Sequence, residues 1–300
     1  MSRLALTLDL DGPSEYAAIY ALDARGADPL VMYGEPLTRF AELCQELGGA
    51  GTVFAIGRDV RDQAAAALRA LAQQGFEIAC HSFAHDYRLS AWPAAQIHED
   101  LTRARDIMAH ELGAPPVGFR APGYNLSPAL LDQLERTAFA YDSSALPSPP
   151  YYVAKAVVLA AYRILGRRSA AFLGSPGLLL APRRLYTPGA HPYRRGARSL
   201  VELPISVGLM GLALVGDVLW ALPTWLRRAL ARSFAADRDV VVSLHAIDFA
   251  DAQTLPGELA RHHRAQRLSW PQRREILHDL LPLLAASRRL VTCGALAAVL

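Results

Sequence analysis

The chain has almost no lysine. Of its 31 basic side chains only Lys155 is not an arginine, and the net charge is just +3. The arginines pair at positions 183–184, 194–195 and 227–228, in short clusters scattered along the chain. Nucleic-acid recognition needs basic residues gathered on one face, so no nucleic-acid partner is expected. Cysteine is scarce too. Cys44, Cys80 and Cys293 are far apart and odd in number, with no CxxC pair. This excludes a disulfide framework and fits a reducing compartment. No basic segment followed by an apolar core opens the sequence; residues 4–8 read at once as a strand, so no export signal is expected. The longest apolar stretch, residues 206–222, is broken by glycines and Asp217 and is followed by Pro223. It falls short of a membrane span. The expected location is the cytoplasm, with peripheral contact on the inner face of a membrane as an option.

What the chain does have is apolar material. Hydrophobic residues make up 52% of it and charged ones 20%, enough for a large core and contrary to global disorder. Up to residue 145, strand and helix signals alternate. Apolar runs at 4–8, 52–56, 76–80, 117–120 and 139–142 read as strands. Periodic segments at 37–47, 59–74, 93–112 and 128–136 read as helices, the last capped by Ser127 ahead of Pro128. Such alternation implies parallel strands joined by crossover helices. Residues 146–238 break the rhythm. They open on Ser148-Pro149-Pro150 and continue with a helix at 151–165, a strand at 201–207 and a helix at 225–233. Strand signals resume at 239–244 and 290–293, around a helix at 270–286. The expectation is one domain over residues 1–300, with 146–238 as an insertion.

Ionisable groups collect where the apolar runs stop. Asp9 and Asp11 follow the first strand, His81 and His85 the third, Arg120 the fourth, Asp142 the fifth, and His245 a late one. Parallel strands would bring these ends to one rim, where α/β folds place their chemistry. Two imidazoles and one carboxylate make a three-ligand set that leaves a position open. Alone, His-x-x-x-His and Asp-x-Asp are weak signals, equally at home in surface turns.

Taken together, the motifs resemble the polysaccharide deacetylase family (the NodB homology domain, carbohydrate esterase family 4). The matching segments are TLDLDG at 7–12, GTVF at 51–54, GFEIACHSFAH at 75–85, GFRAPG at 118–123, YDSS at 141–144 and VSLH at 242–245. The first is in an Asp-x-Asp form. The resemblance implies a distorted (β/α) barrel of about seven strands, here with a long helical and apolar insertion. It implies Asp9 as general base, Asp11, His81 and His85 as ligands of a divalent ion, and His245 as general acid. Arg120 would orient the base and Asp142 would hold that arginine. Pro122, Gly123 and Tyr124 are expected to touch substrate, with a backbone N–H near Tyr124 helping to stabilise the oxyanion. Zinc suits the ligand set; cobalt, nickel and iron are alternatives.

Two departures bear on substrate. The tryptophan that often follows the fifth strand in polymer deacetylases is missing, and no export signal points to a wall polymer. The expected reaction is therefore removal of an N-acyl group, acetyl or formyl, from an amino sugar, possibly one carried on a membrane lipid. The alternatives are hydrolysis of a cyclic imide or other small amide, and a non-catalytic binding module on the same fold. Oligomeric state is not readable from the sequence. Asp248 reads as a turn residue, Trp220 and Trp225 as packing, Cys80 as a buried small hydrophobe, and His98, His110, His191, His262, His263 and His278 as surface residues.

Overall fold

The computed structural model describes residues 2–23, 27–236 and 238–299. Strand β1 (Ser2–Asp9) is buried on both faces from Leu4 onward, as a central strand of a parallel sheet must be. Then come α1 (Pro13–Ile19), α2 (Glu35–Glu46), β2 (Thr52–Ala55), α3 (Asp62–Gln73), β3 (Glu77–Cys80), α4 (Ala94–Leu112), β4 (Gly118–Phe119), α5 (Pro128–Arg136) and β5 (Tyr141–Asp142). The second half holds α6 (Pro149–Ile164), β6 (Val201–Glu202), α7 (Gly216–Ala221), α8 (Thr224–Arg232), β7 (Val240–His245), α9 (Gly257–His262), α10 (Trp270–Ala285), β8 (Arg288–Leu290) and α11 (Cys293–Ala297).

The strands run β6-β5-β4-β3-β2-β1-β7, and β8 also pairs with β1. All these pairings are parallel. The sheet curls into a half-barrel surrounded by helices, a distorted (β/α) barrel. Its register sets the site. Asp9 lies opposite Phe54 on one side and His245 on the other, and Cys80 lies opposite Phe119. Asp9, His81, Arg120 and His245 therefore reach one rim at the carboxyl ends of their strands.

Two strand expectations need correction. Of residues 201–207, only Val201 and Glu202 form strand, because Pro204 has no N–H to donate to a ladder. The chain beyond it leaves β5 for β7: Leu203 N–H donates to Asp142 O at 2.8 Å, and Ser206 N–H to Val241 O at 3.0 Å. Ser243 N–H then donates to Leu214 O at 3.0 Å. This part of the 146–238 stretch thus links the two edges of the sheet. The final strand is Arg288–Leu290, and Cys293 instead opens α11, with Thr292 Oγ1 accepting from Ala295 N–H as its cap.

α6 stands apart energetically. Ser148 Oγ caps it by accepting from Tyr151 N–H, yet none of its 16 residues is buried. Its outward stripe is apolar: Val153, Val157 and Ile164 are 57%, 62% and 86% exposed. Among the described residues, no helix is long and apolar enough to cross a membrane.

Candidate active site

The loop after β3 holds its two histidines in an unusual backbone. Ser82 and His85 both take positive φ, +63° and +51°, a conformation that side chains other than Gly, Asn and Asp seldom adopt. Hydrogen bonds from outside the loop impose it. Asp100 of α4 accepts from Phe83 N–H and Ala84 N–H at 2.8 and 2.9 Å, and Ser82 Oγ accepts from His85 N–H at 2.9 Å. His81 Nδ1 lies 2.7 Å from Arg120 O. That carbonyl accepts a hydrogen bond from Nδ1–H and leaves the Nε2 lone pair to ligate, the usual way a ligating histidine is oriented.

Asp11 faces both rings. Its Oδ1 lies 3.2 Å from His81 Nε2 and 3.2 Å from His85 Nε2. All three side chains are buried, and their ligand atoms fall within 4.8 Å of one another. Burial opposes ionisation of Asp11, but the charge of His85 and contacts with both imidazoles hold its carboxyl well below the usual range. Burial likewise penalises a His81 cation, and Asp11 and Asp9 outweigh it, so its pKa is raised. Asp11 Oδ1 and both ring nitrogens of His85 have no hydrogen-bond partner. Buried polar atoms are rarely left so. Asp11 Oδ1 and His85 Nε2, both without partners, converge with His81 Nε2, and two imidazole nitrogens with a carboxylate oxygen suit a divalent cation such as zinc.

Beside this cluster sits a buried ion pair. Arg120 Nη1 donates to Asp9 Oδ1 at 2.6 Å, to Thr7 Oγ1 at 2.8 Å and to Ser243 Oγ at 3.2 Å. Its Nε and Nη2 donate to Ser143 O at 2.8 Å and Ser143 Oγ at 2.9 Å, and its guanidinium lies 4.1 Å above the Phe54 ring. Arg120 is fully buried, so these partners fix Asp9 at the rim. His245 approaches from the other side, with Nε2 3.7 Å from Asp9 Oδ2. The Tyr124 hydroxyl bridges His245 Nε2 at 3.2 Å and Ser243 Oγ at 3.1 Å. A cavity of about 490 Å³ opens over Asp9, Asp11, His81 and His245, with Ile19, Leu159, Leu212, Val218 and Leu222 among its apolar walls.

The comparisons with known proteins agree with this architecture. A family profile described as polysaccharide deacetylase matches residues 32–141. A Mycobacterium smegmatis structure described as a polysaccharide deacetylase superposes with a TM-score of 0.63 at 19% identity, covering 99% of this chain and 89% of that one. The Puue allantoinase gives 0.59 at 14% identity, with 99% and 89% covered. A family 4 acetyl xylan esterase from Clostridium thermocellum, solved with a cobalt ion, gives 0.51 at 16%, with 99% and 91% covered. No curated protein sequence matches the chain. The family segment contains His81, His85, Arg120 and Tyr124 but not Asp9, Asp11, Asp142 or His245. The fold supplies those from outside it.

The fold brings Asp9, Asp11, His81, His85, Arg120 and His245 together, with Gly123 and Tyr124 in the cavity wall. Pro122 is buried in the turn beneath them. Asp142 does not hold Arg120 as expected. Its Oδ1 accepts from Ser144 Oγ at 2.6 Å, and it hydrogen-bonds the Glu202 carboxyl. Ser143, one residue on, holds the guanidinium instead, because alternate strand residues point to opposite faces. Of the backbone donors near Tyr124, its own N–H donates to Ala121 O at 3.1 Å. The side chain, not the backbone, faces the site.

Two residues were underread. Asp248, expected as a turn residue, does lie in a short 3-10 turn, and there it is buried beside His245. Its Oδ2 accepts from His245 N–H at 2.9 Å and its Oδ1 from Trp220 Nε1–H at 2.7 Å. His263, expected at the surface, is buried in the cavity wall with its ring 5.1 Å from that of Tyr16. Neither sits on a strand end, the only sequence signal used to find site residues. Cys80 is buried, and burial raises its thiol pKa, as a small hydrophobe requires.

Proposed function

We propose that the chain is a metal-dependent hydrolase that removes an N-acyl group, acetyl or formyl, from an amino sugar carried on a membrane lipid. One observation carries the reading: three convergent ligand atoms, two of them without a hydrogen-bond partner, lie beside the Asp9–Arg120 pair and His245 at one cavity. A divalent ion held by Asp11, His81 and His85 would polarise the acyl carbonyl and acidify water. Asp9 takes the proton of the attacking water, and Arg120 keeps its carboxylate in place. The water oxygen bonds to the acyl carbon. The carbon–nitrogen bond then breaks as His245 Nε2 passes a proton to the leaving nitrogen. Tyr124 hydroxyl, against that same Nε2, steers the ring.

The lipid-linked form of the substrate is supported by two features. The cavity walls beyond the ionisable groups are apolar, and α6, which lines the mouth through Ala154, Val158 and Leu159, presents an apolar face outward. From residue 143 to 201 the sequence has nine basic residues and no Asp or Glu, although the whole chain nets only +3. An apolar helix in a basic segment fits the inner, anionic face of a membrane, which supports the reading of a peripheral protein on the cytoplasmic side. The direct test is metal content together with acetate or formate release from an N-acyl amino sugar. Wild type should hold about one ion per chain and Asp11→Ala should lose both ion and activity. A wild type without metal, or an Asp11→Ala variant of full activity, removes the reading.

A further inference from the structure

Lys155 is the only lysine in the chain, and it is placed on α6 in the wall of the catalytic cavity. Its Nζ donates to Gly123 O at 3.1 Å. An ammonium has three donors, so this contact leaves two for an occupant of the cavity. Among the described residues it forms no ion pair with any carboxylate. Burial, with nothing to offset it, pushes its pKa down to about 8. A half-buried cation without a counter-charge carries a desolvation cost, and an entering anion offsets it. The location is also informative. Gly123 precedes Tyr124, whose hydroxyl touches His245 Nε2. Lys155 shares its cavity with Asp9, Asp11 and His245 and with the apolar side chains of Val158, Leu159, Leu212 and Leu222. One cavity thus offers amide chemistry, a cation and an apolar wall.

We infer that Lys155 forms an anion subsite, taking the phosphate ester of a phosphorylated N-acyl amino sugar. The inference rests on the hydrolase reading above, since it names the substrate class of the same cavity. Soluble sugar phosphates and lipid-linked sugar phosphates share this chemistry. A merely structural Lys155 would pin α6 to the Gly123 turn and would not distinguish ligands by charge.

The test is calorimetric titration of the zinc-loaded protein with N-acetylglucosamine, with N-acetylglucosamine 1-phosphate, and with the same phosphate esterified to a short prenyl chain. Wild type should bind the phosphate at least tenfold more tightly than the neutral sugar. Lys155→Met should bring that ratio close to one, and Lys155→Arg should retain part of it. If the prenyl ester binds tighter still, the anion comes from a lipid; if not, from a soluble ester. Equal binding of neutral and phosphorylated sugar by wild type overturns the subsite. So does a Lys155→Met variant that weakens both alike and keeps the ratio. Acetate release is read separately. Release without phosphate preference leaves the hydrolase standing and removes the subsite; preference without release does the reverse.

Discussion

Removing and restoring the metal should move the melting temperature by a calculable amount. Asp11, His81 and His85 are buried in place, with ligand atoms already within 4.8 Å of one another. Little ordering remains to be done on binding, and the unfolded chain has no such cluster. An ion that binds only the folded state stabilises it by about 2.7 kcal/mol at a hundred times its Kd and about 4.1 at a thousand times. For a chain of this size each kcal/mol raises the melting point by roughly 2–4 °C. The expected rise is therefore about 5–16 °C, read by circular dichroism after chelator dialysis and again after adding zinc or cobalt. The control must respect the backbone. His85 has φ +51°, so Asn, which tolerates that region, is a better replacement than Ala. His85→Asn should lose most of the rise. A wild type whose melting point ignores zinc, cobalt, nickel and iron alike, or a His85→Asn variant with the full rise, would refute the reasoning.

Other perturbations follow from single contacts. Arg120→Met leaves the Asp9 carboxylate buried without its partner, and urea unfolding should show a loss of about 3–5 kcal/mol with hydrolysis abolished. Tyr124→Phe deletes the hydroxyl against His245 and Ser243; kcat should fall while KM stays within twofold and stability changes by about 1 kcal/mol. A Cβ on Gly216 would sit 2.2 Å from Asp248 Oδ2. Gly216→Ala should thus displace the carboxylate that holds His245 N–H, lowering kcat and costing about 1–3 kcal/mol in a urea melt despite the better helix former. Burial raises the Asp142 and Glu202 pKa values above the ordinary 3.8 and 4.5. Both groups are bound to protons more strongly in the folded than in the unfolded chain. Their contribution is full below the unfolded values and is lost as pH rises through the folded ones. Glu202→Gln should flatten the decline in stability above about pH 4.5; an unchanged slope would count against a shared buried proton.

Much of this was written in the chain itself. The runs ending at Asp9, Cys80 and Leu244 announce buried strands because apolar residues on both faces suit only a sheet covered on both sides. Ser127 ahead of Pro128 fixes a helix start by local hydrogen bonding, and the structure has that cap. The candidate ligands were legible for a related reason: His81 directly follows a strand, Asp11 and His85 lie within five residues of one, and parallel strands end together. What remained hidden depends on contacts between segments distant in sequence. Ser143 rather than Asp142 meets Arg120 because the pleat, set by register with neighbouring strands, decides which of two adjacent side chains faces inward. Asp248, His263 and Trp220 reach the site from turns and a helix that carry no periodic signal, and only packing brings them there. Nothing local marks Lys155 as a cavity residue; only the placement of α6 along the cavity does so. Local pattern fixed the strands and their ends, while the tertiary fold chose which polar groups lost water and met one another, since burial is a property of the assembled molecule and not of any one segment.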